Sequence, residues 1–409
     1  MSTSLAGARD ISRVEFIALI AGLMALNALA IDVMLPALPY MGEALGVSSE
    51  NERQFVLSAY MLGFGLAQLA YGPLSDRFGR RAPLIIGLTI YVAAAFAAIF
   101  APNFGVLLAL RFVQGLGAAG TRVIATSAVR DRFGGRDMAE VMALVFMVFM
   151  VIPVIAPGIG QVLLLTGPWQ LIFLFMSGLA AIFSVWVYFR LPETLPVAMR
   201  RKLEIRVILE GFRLVVTNRV AFSYGLAGMF VFGALFGFIN TSQQIYVDIY
   251  GLGTWFPLAF ALMAGLMAIS SYVNSRMVRR FGMRRLSHFA ILVFTADSGL
   301  LLLLSLLGPV PLPVFFIMLA IAMLMFGWAA SNMNSLSMEP LGAVAGTAAS
   351  VFGFIQTVGG ALLGTLIGQF FNGTITPTVL GYFAMGCLAL ICILIAEKGK
   401  LFGVSAEYR

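Results

Sequence analysis

Four ionisable side chains lie inside long apolar stretches of this chain, and each is a candidate for chemistry: Asp32, Arg111, Arg122 and Asp297. A charge near a membrane centre costs several kcal/mol unless it is paired or lines a wet cavity. Helical rise decides which of the four can meet. Asp32 lies ~12 Å inside the outer end of its stretch, and Arg111 ~9 Å inside the outer start of its own, so their depths match. Arg122, further along the same stretch as Arg111, is ~16 Å deeper on nearly the same helix face. The predicted chemistry is proton exchange, with Asp32 as the proton carrier and Arg111 placed to tune it, because alternation between wet and dry surroundings swings a carboxylate's proton affinity. The alternative is a structural Asp32–Arg111 pair that does not titrate. Arg122 either selects anionic or zwitterionic cargo or reaches toward cytoplasmic water. Asp297, beside Thr295 and Ser298, is either a second protonation or cation site or a helix-packing residue.

The elements that must position these charges follow from composition. The chain has 409 residues, of which 61% are hydrophobic and 11% charged, against about 25% charged in soluble proteins. This excludes secreted, fibrous, disordered and nucleic-acid-binding classes. Apolar stretches at 14–38, 54–75, 83–101, 105–128, 138–165, 168–190, 219–246, 253–275, 286–308, 311–331, 341–371 and 374–396 predict twelve transmembrane helices. The even count puts both termini on one side. Of the 26 Lys and Arg, 23 fall in the termini and alternate loops that share that side, which makes it cytoplasmic. The net charge of +8 is thus a topology signal. A polar segment over 191–218 divides the chain into halves 1–190 and 219–409, each a six-helix bundle. Cys387 and Cys392 are read as small apolar residues, and His288 as an interfacial helix residue with no partners for a metal.

Motifs sharpen this. Gly72-Pro73-Leu74-Ser75-Asp76-Arg77-Phe78-Gly79-Arg80-Arg81 follows the second stretch, and Arg279-Arg280-Phe281-Gly282-Met283-Arg284-Arg285 follows the eighth, its copy in the other half, without the acid. The fourth stretch carries Arg111-Phe112-Val113-Gln114-Gly115-Leu116-Gly117, the fifth Pro153-Val154-Ile155-Ala156-Pro157-Gly158-Ile159-Gly160, and the first Ile31-Asp32-Val33-Met34-Leu35-Pro36. Ala345-Gly346-Thr347-Ala348-Ala349-Ser350 stands before the last spans. Together these resemble the loop, fourth-span and fifth-span motifs of the major facilitator superfamily and, within it, the Bcr/CflA group of drug and proton antiporters. The resemblance implies an all-α fold of two six-helix halves around a central cavity. It makes Gly72, Asp76, Arg77, Gly79, Arg80 and Arg81 a latch that breaks in the conformational switch, and Pro153, Pro157 and Gly160 an exporter motif.

Cavity-lining candidates on the helices that the resemblance places inside are Met24, Asn27, Tyr60, Met147, Met150, Phe232, Phe236, Asn240, Phe354 and Gln356. Flexible Met and broad aromatic faces suit a promiscuous apolar pocket. Some related transporters carry a second acid where this chain has Met24, so neutral or zwitterionic lipophilic compounds such as amphenicols fit better than cations. The expected function is proton-coupled export of drugs across the bacterial inner membrane by alternating access, with export of a sugar or amino acid, or proton symport, as the alternative. A monomer is expected, with a small-molecule substrate, protons and the lipid bilayer as partners and the proton gradient in place of a cofactor. Nothing resembles a phosphate-cradling loop, and no catalytic His, Cys or paired acids suggest an enzyme.

Overall fold

A computed structural model describes residues 11–200 and 205–402. The cations Arg9, Arg201, Lys202 and Arg409 in the charge count lie outside them. Among the described residues twelve helices are long and apolar enough to cross a membrane, one at each predicted stretch, and there is no strand. They are numbered here as spans: 1 (Arg13–Ala44), 2 (Glu50–Phe78), 3 (Arg81–Ala98), 4 (Phe104–Arg132), 5 (Glu140–Thr166) and 6 (Gln170–Arg190), then 7 (Arg219–Ile249), 8 (Gly253–Phe281), 9 (Met283–Leu307), 10 (Leu312–Leu341), 11 (Gly346–Gln369) and 12 (Thr376–Ala396). The amphipathic linker helix Ile205–Thr217 lies between spans 6 and 7 and packs against spans 7 and 11.

Spans 1–6 pack chiefly on one another, as do spans 7–12, and the two sets meet mainly where span 2 lies along span 11 and span 5 along span 8. Small residues set the closest approaches. A Cβ on Gly115 of span 4 would stand 2.0 Å from the Tyr60 carbonyl of span 2, so only glycine lets these two backbones touch. Gly115→Leu is therefore expected to cost about 3 kcal/mol and to deplete the monodisperse peak in size-exclusion chromatography. Gly178→Leu in span 6, where a Cβ meets nothing within 4 Å, should leave that peak intact. Equal loss in both variants would refute the argument.

Span 1 is interrupted where the chemistry was expected. Its regular α-helix ends at Asp32, a short 3-10 turn Leu35–Ala37 follows, and helix resumes over Leu38–Ala44. Pro36 has no N–H to give the Asp32 carbonyl, and Pro39 none for Leu35. Two π-helical turns break the second half, Gln244–Ile249 at the end of span 7 and Ile355–Gly359 within span 11. Such turns leave backbone groups out of register and gather at functional positions.

The end bearing the described termini is tied by charge. Arg190 grips Glu15 through two 2.6 Å bonds, and Arg13 reaches Glu140 at 2.9 Å. The far end is closed by neutral groups reaching between the halves. Gln54 donates to Gln244 at 2.6 Å, Gln244 to Asn51 at 2.9 Å, and Gln369 to the Asn51 carbonyl at 2.8 Å. Asn51 in turn donates to the Gln369 and Phe371 carbonyls, and Ser58 meets Thr365 at 2.6 Å. At the terminal end, by contrast, span 4 exposes Arg122 and Arg130, and span 10 exposes Ser331, Asn334 and Ser335.

Candidate functional site

Asp32 sits at the break in span 1 with 4% of its surface exposed, and among the described residues its carboxylate enters no hydrogen bond or ion pair. The fifth-span motif presses on the same turn: a Cβ on Gly160 would lie 2.1 Å from the Val33 carbonyl and 3.0 Å from Pro36. Pro153 and Pro157 stand inside that helix, where each removes one backbone bond. Span 5 thus offers a softened helix whose glycine locks onto the residue next to the acid.

Arg111 is fully buried and lies at the predicted depth, but the expected contact with Asp32 is absent. Its Nη2 donates to the Ala30 carbonyl at 2.9 Å, its Nε to the Val56 carbonyl at 3.1 Å and its Nη1 to Gln114 Oε1 at 2.7 Å. The guanidinium also lies 4.5 Å from the Tyr60 ring centroid. Carbonyl dipoles and an aromatic face solvate the charge in place of a carboxylate. No Asp32–Arg111 salt bridge is present; Arg111 pins spans 1 and 2 to span 4, and one of its bonds goes to the Ala30 carbonyl, two residues before the acid.

The cavity candidates divide. Asn27 donates to Thr121 at 2.7 Å and accepts from the Tyr60 hydroxyl at 3.2 Å, so these two join Arg111 in one polar layer. Phe232 stacks near Phe236 and Phe326, at 6.0 and 5.7 Å between centroids. Asn240 and Gln356 are buried, the latter with an amide nitrogen that has no partner among the described residues. Phe354 and Met150 are half-buried, while Met147 is exposed. Met24 is buried at 3% exposure within the main apolar core. Asp297 is half-buried in span 9, also without a hydrogen bond or ion pair among the described residues. Spans 5 and 8 leave a crevice of about 610 Å³ between the halves, lined entirely by apolar residues such as Ile159 and Leu258.

At the terminal end the loop motif forms a network. Arg80 donates to Asp76 at 2.6 Å, to Ser75 at 2.7 Å and to Asp131 of span 4 at 2.7 and 3.3 Å. Burial works against that charge, yet the bonds to Asp131 and Asp76 outweigh it and hold the guanidinium above its ordinary range. Glu193, just past span 6, accepts from the backbone N–H groups of Arg80 and Arg81, which caps span 3. Arg81 donates to the Tyr188 carbonyl and Arg77 is exposed. Gly79 has φ +89, open to glycine at little cost, and Gly72 comes close to Ser350 of span 11.

The second half rebuilds this with shifted parts. Gly282 repeats the backbone of Gly79 at φ +80. Arg284 pairs with Glu339 at the foot of span 10 and Glu397 at the foot of span 12, the counterparts of Asp131 and Glu193. The acid missing from the sequence copy is therefore supplied from other helices. Glu397 also accepts from Tyr224, whose hydroxyl meets His288 at 2.9 Å, and the Phe402 N–H donates to His288 Nδ1. His288 is buried rather than interfacial, because it anchors the chain that leaves span 12. Arg80→Met should cost about 3–5 kcal/mol, as a broken buried pair does. Arg284→Met, at a wetter site, should cost less. Thermal unfolding of the two variants in detergent reads this order, and the reverse order would contradict it.

These features meet what comparison with known proteins finds. The sequence profile of the Major Facilitator Superfamily matches residues 20–364. The chain belongs to the major facilitator superfamily. Relatives within this superfamily include a bicyclomycin resistance protein homolog of Haemophilus influenzae, 29% identical over 89% of this chain and 90% of that one. The multidrug resistance protein MdtL of Klebsiella pneumoniae is 30% identical, over 81% and 83% respectively. Among solved structures, a bacterial homolog of the human lysosomal transporter Spinster, in an inward-facing and occupied conformation, aligns with TM-score 0.71 at 15% identity, covering 95% and 96%. The protein is a multi-pass transporter of the major facilitator fold with relatives named for multidrug and bicyclomycin resistance. Sequence reasoning singled out Asp32, Arg111 and the loop motif, which the structure places at the span 1 break, in the buried layer beside it and in the terminal-end network. It missed Asp131, Glu193, Glu339 and Glu397, single acids at helix feet, and the amides of the far end, which match no motif.

Proposed function

We propose that this protein exports lipophilic drugs across the bacterial inner membrane in exchange for protons, with both termini cytoplasmic. The observation that carries the reading is the Asp32 carboxylate: buried, unpartnered, and set at a break in span 1 against the fifth-span glycine. A dry unpaired carboxylate costs several kcal/mol, and a bound proton removes that charge. Rocking of the halves that wets Asp32 from one side and then the other makes proton binding and release part of each turn of the cycle. The relatives' names support drugs as cargo, and the apolar seam between spans 5 and 8 suits a lipophilic body. A far end clasped by amides, with polar side chains exposed toward the terminal end, supports reading this state as the one that receives drug from the cytoplasm. Arg111 is here a positioning residue that fixes the span 1 turn.

Everted membrane vesicles acidified by respiration and loaded with a pH-sensitive dye test this reading. Addition of bicyclomycin or chloramphenicol should discharge the gradient in vesicles containing the protein, and expression in a pump-deficient strain should raise the inhibitory concentration of at least one of them. No proton movement with any drug of a broad panel, together with unchanged susceptibility, would overturn it.

A further inference from the structure

Arg122 carries a charge that the cycle above does not use. It stands ten residues before the end of span 4 at Arg132, ~15 Å inside the helix end. Its direction follows from its neighbours. Gly117 is pressed against Gly87 of span 3, and at about 100° per residue Arg122 projects about 140° around the helix from that contact. Thr121, bonded to Asn27 of span 1, fixes a second side. Arg122 thus points away from span 3, on nearly the same helix face as Arg111. Its side chain is exposed while Thr121, Ile124 and Ala125 around it are buried, so it opens into space and not into packing. Among the described residues no carboxylate and no hydrogen-bond acceptor engages it. Thr126 and Arg130 continue its face at four-residue spacing to the open terminal end, and the exposed Ser331, Asn334 and Ser335 lie on span 10, the counterpart of span 4 in the second half.

An exposed intramembrane guanidinium without a fixed partner among the described residues is free for an exchangeable one. Its planar fork matches a carboxylate through two parallel bonds. We infer that Arg122 binds the carboxylate of the cargo, so that the favoured substrates are lipophilic compounds bearing a carboxylic acid, as anions or zwitterions. Naming this ligand as cargo rests on the exporter reading; the binding itself does not.

Equilibrium dialysis with the full-length protein in phosphatidylcholine nanodiscs at pH 7 tests the inference, with norfloxacin and its methyl ester as probes. The acid should bind at least about tenfold tighter than the ester. Arg122→Ala and Arg122→Gln should weaken the acid to the level of the ester while leaving the ester unchanged, and Arg122→Lys should restore part of the difference. Equal affinity of the wild type for both probes, binding of neither, or equal weakening of both in the folded Arg122→Gln variant would overturn it. Discrimination that persists in a protein showing no pH-driven transport in proteoliposomes would refute the exporter reading and leave this site standing. Equal pH-driven export of ester and acid would overturn this site alone.

Discussion

Replacing Asp32 with asparagine is expected to abolish proton-driven transport, by at least about a hundredfold, in a protein that is as stable as the wild type or more so. Asparagine has the size of a protonated aspartic acid but cannot ionise, so the variant stays in the protonated half of the proposed cycle. The wild-type carboxylate has 4% of its surface exposed and no partner among the described residues, and relieving an uncompensated buried charge stabilises a fold by about 1–4 kcal/mol. The measurement is paired. Drug uptake into everted vesicles under an imposed pH gradient should vanish, while drug-for-drug counterflow without a gradient persists and the melting temperature holds or rises. Full gradient-driven uptake in Asp32→Asn would remove Asp32 from the proton path. A melting temperature that falls sharply would instead mean that the carboxylate holds the span 1 break together.

The second large effect is expected at Arg111, and it is structural before it is functional. Truncation to alanine strands the Ala30 and Val56 carbonyls and the Gln114 amide oxygen, all reached by the one guanidinium. Each stranded buried acceptor costs about 1–3 kcal/mol, so Arg111→Ala should yield little folded protein. Arg111→Lys retains the charge but not the fork. It should fold with a lowered melting temperature, leave at least one of the three acceptors empty, and transport at well under a tenth of the wild-type rate. Because no Asp32–Arg111 ion pair exists, the pH profile of the transport that remains should keep its midpoint. A midpoint moved by a full unit would restore direct coupling between the two groups. Fluorescence-monitored unfolding and transport measured from pH 5.5 to 8.5 separate these outcomes.

Twelve helices were legible because runs of about 20 apolar residues leave few alternatives in a chain this poor in charge. Span 1 also declared its fault line, since Pro36 and Pro39 follow Asp32 at spacings that strip the helix of donors. Depth matching was legible too: Arg111 arrives within two residues of Asp32 along span 1. What the sequence withheld was azimuth. The rise per residue fixes height, but the guanidinium turns to carbonyls of spans 1 and 2 through crossing angles that no single helix encodes. The same blindness hid the second latch, because Glu339 and Glu397 lie far in sequence from the arginine they serve.

The far-end clasp has an electrical consequence. Asn51, Gln54, Ser58, Gln244, Thr365 and Gln369 join the halves without one ionised group. A membrane potential does work only on charge that moves, about 2.3 kcal/mol per elementary charge per 100 mV, and so it exerts no direct pull on these amides and hydroxyls. In the proposed cycle the opening of that gate is driven by what happens at Asp32 and in the cleft. Voltage enters through the proton, any charged cargo and the charges of Glu50, Arg53 and Asp248 at the same end, while the amides and hydroxyls themselves respond to neither voltage nor salt.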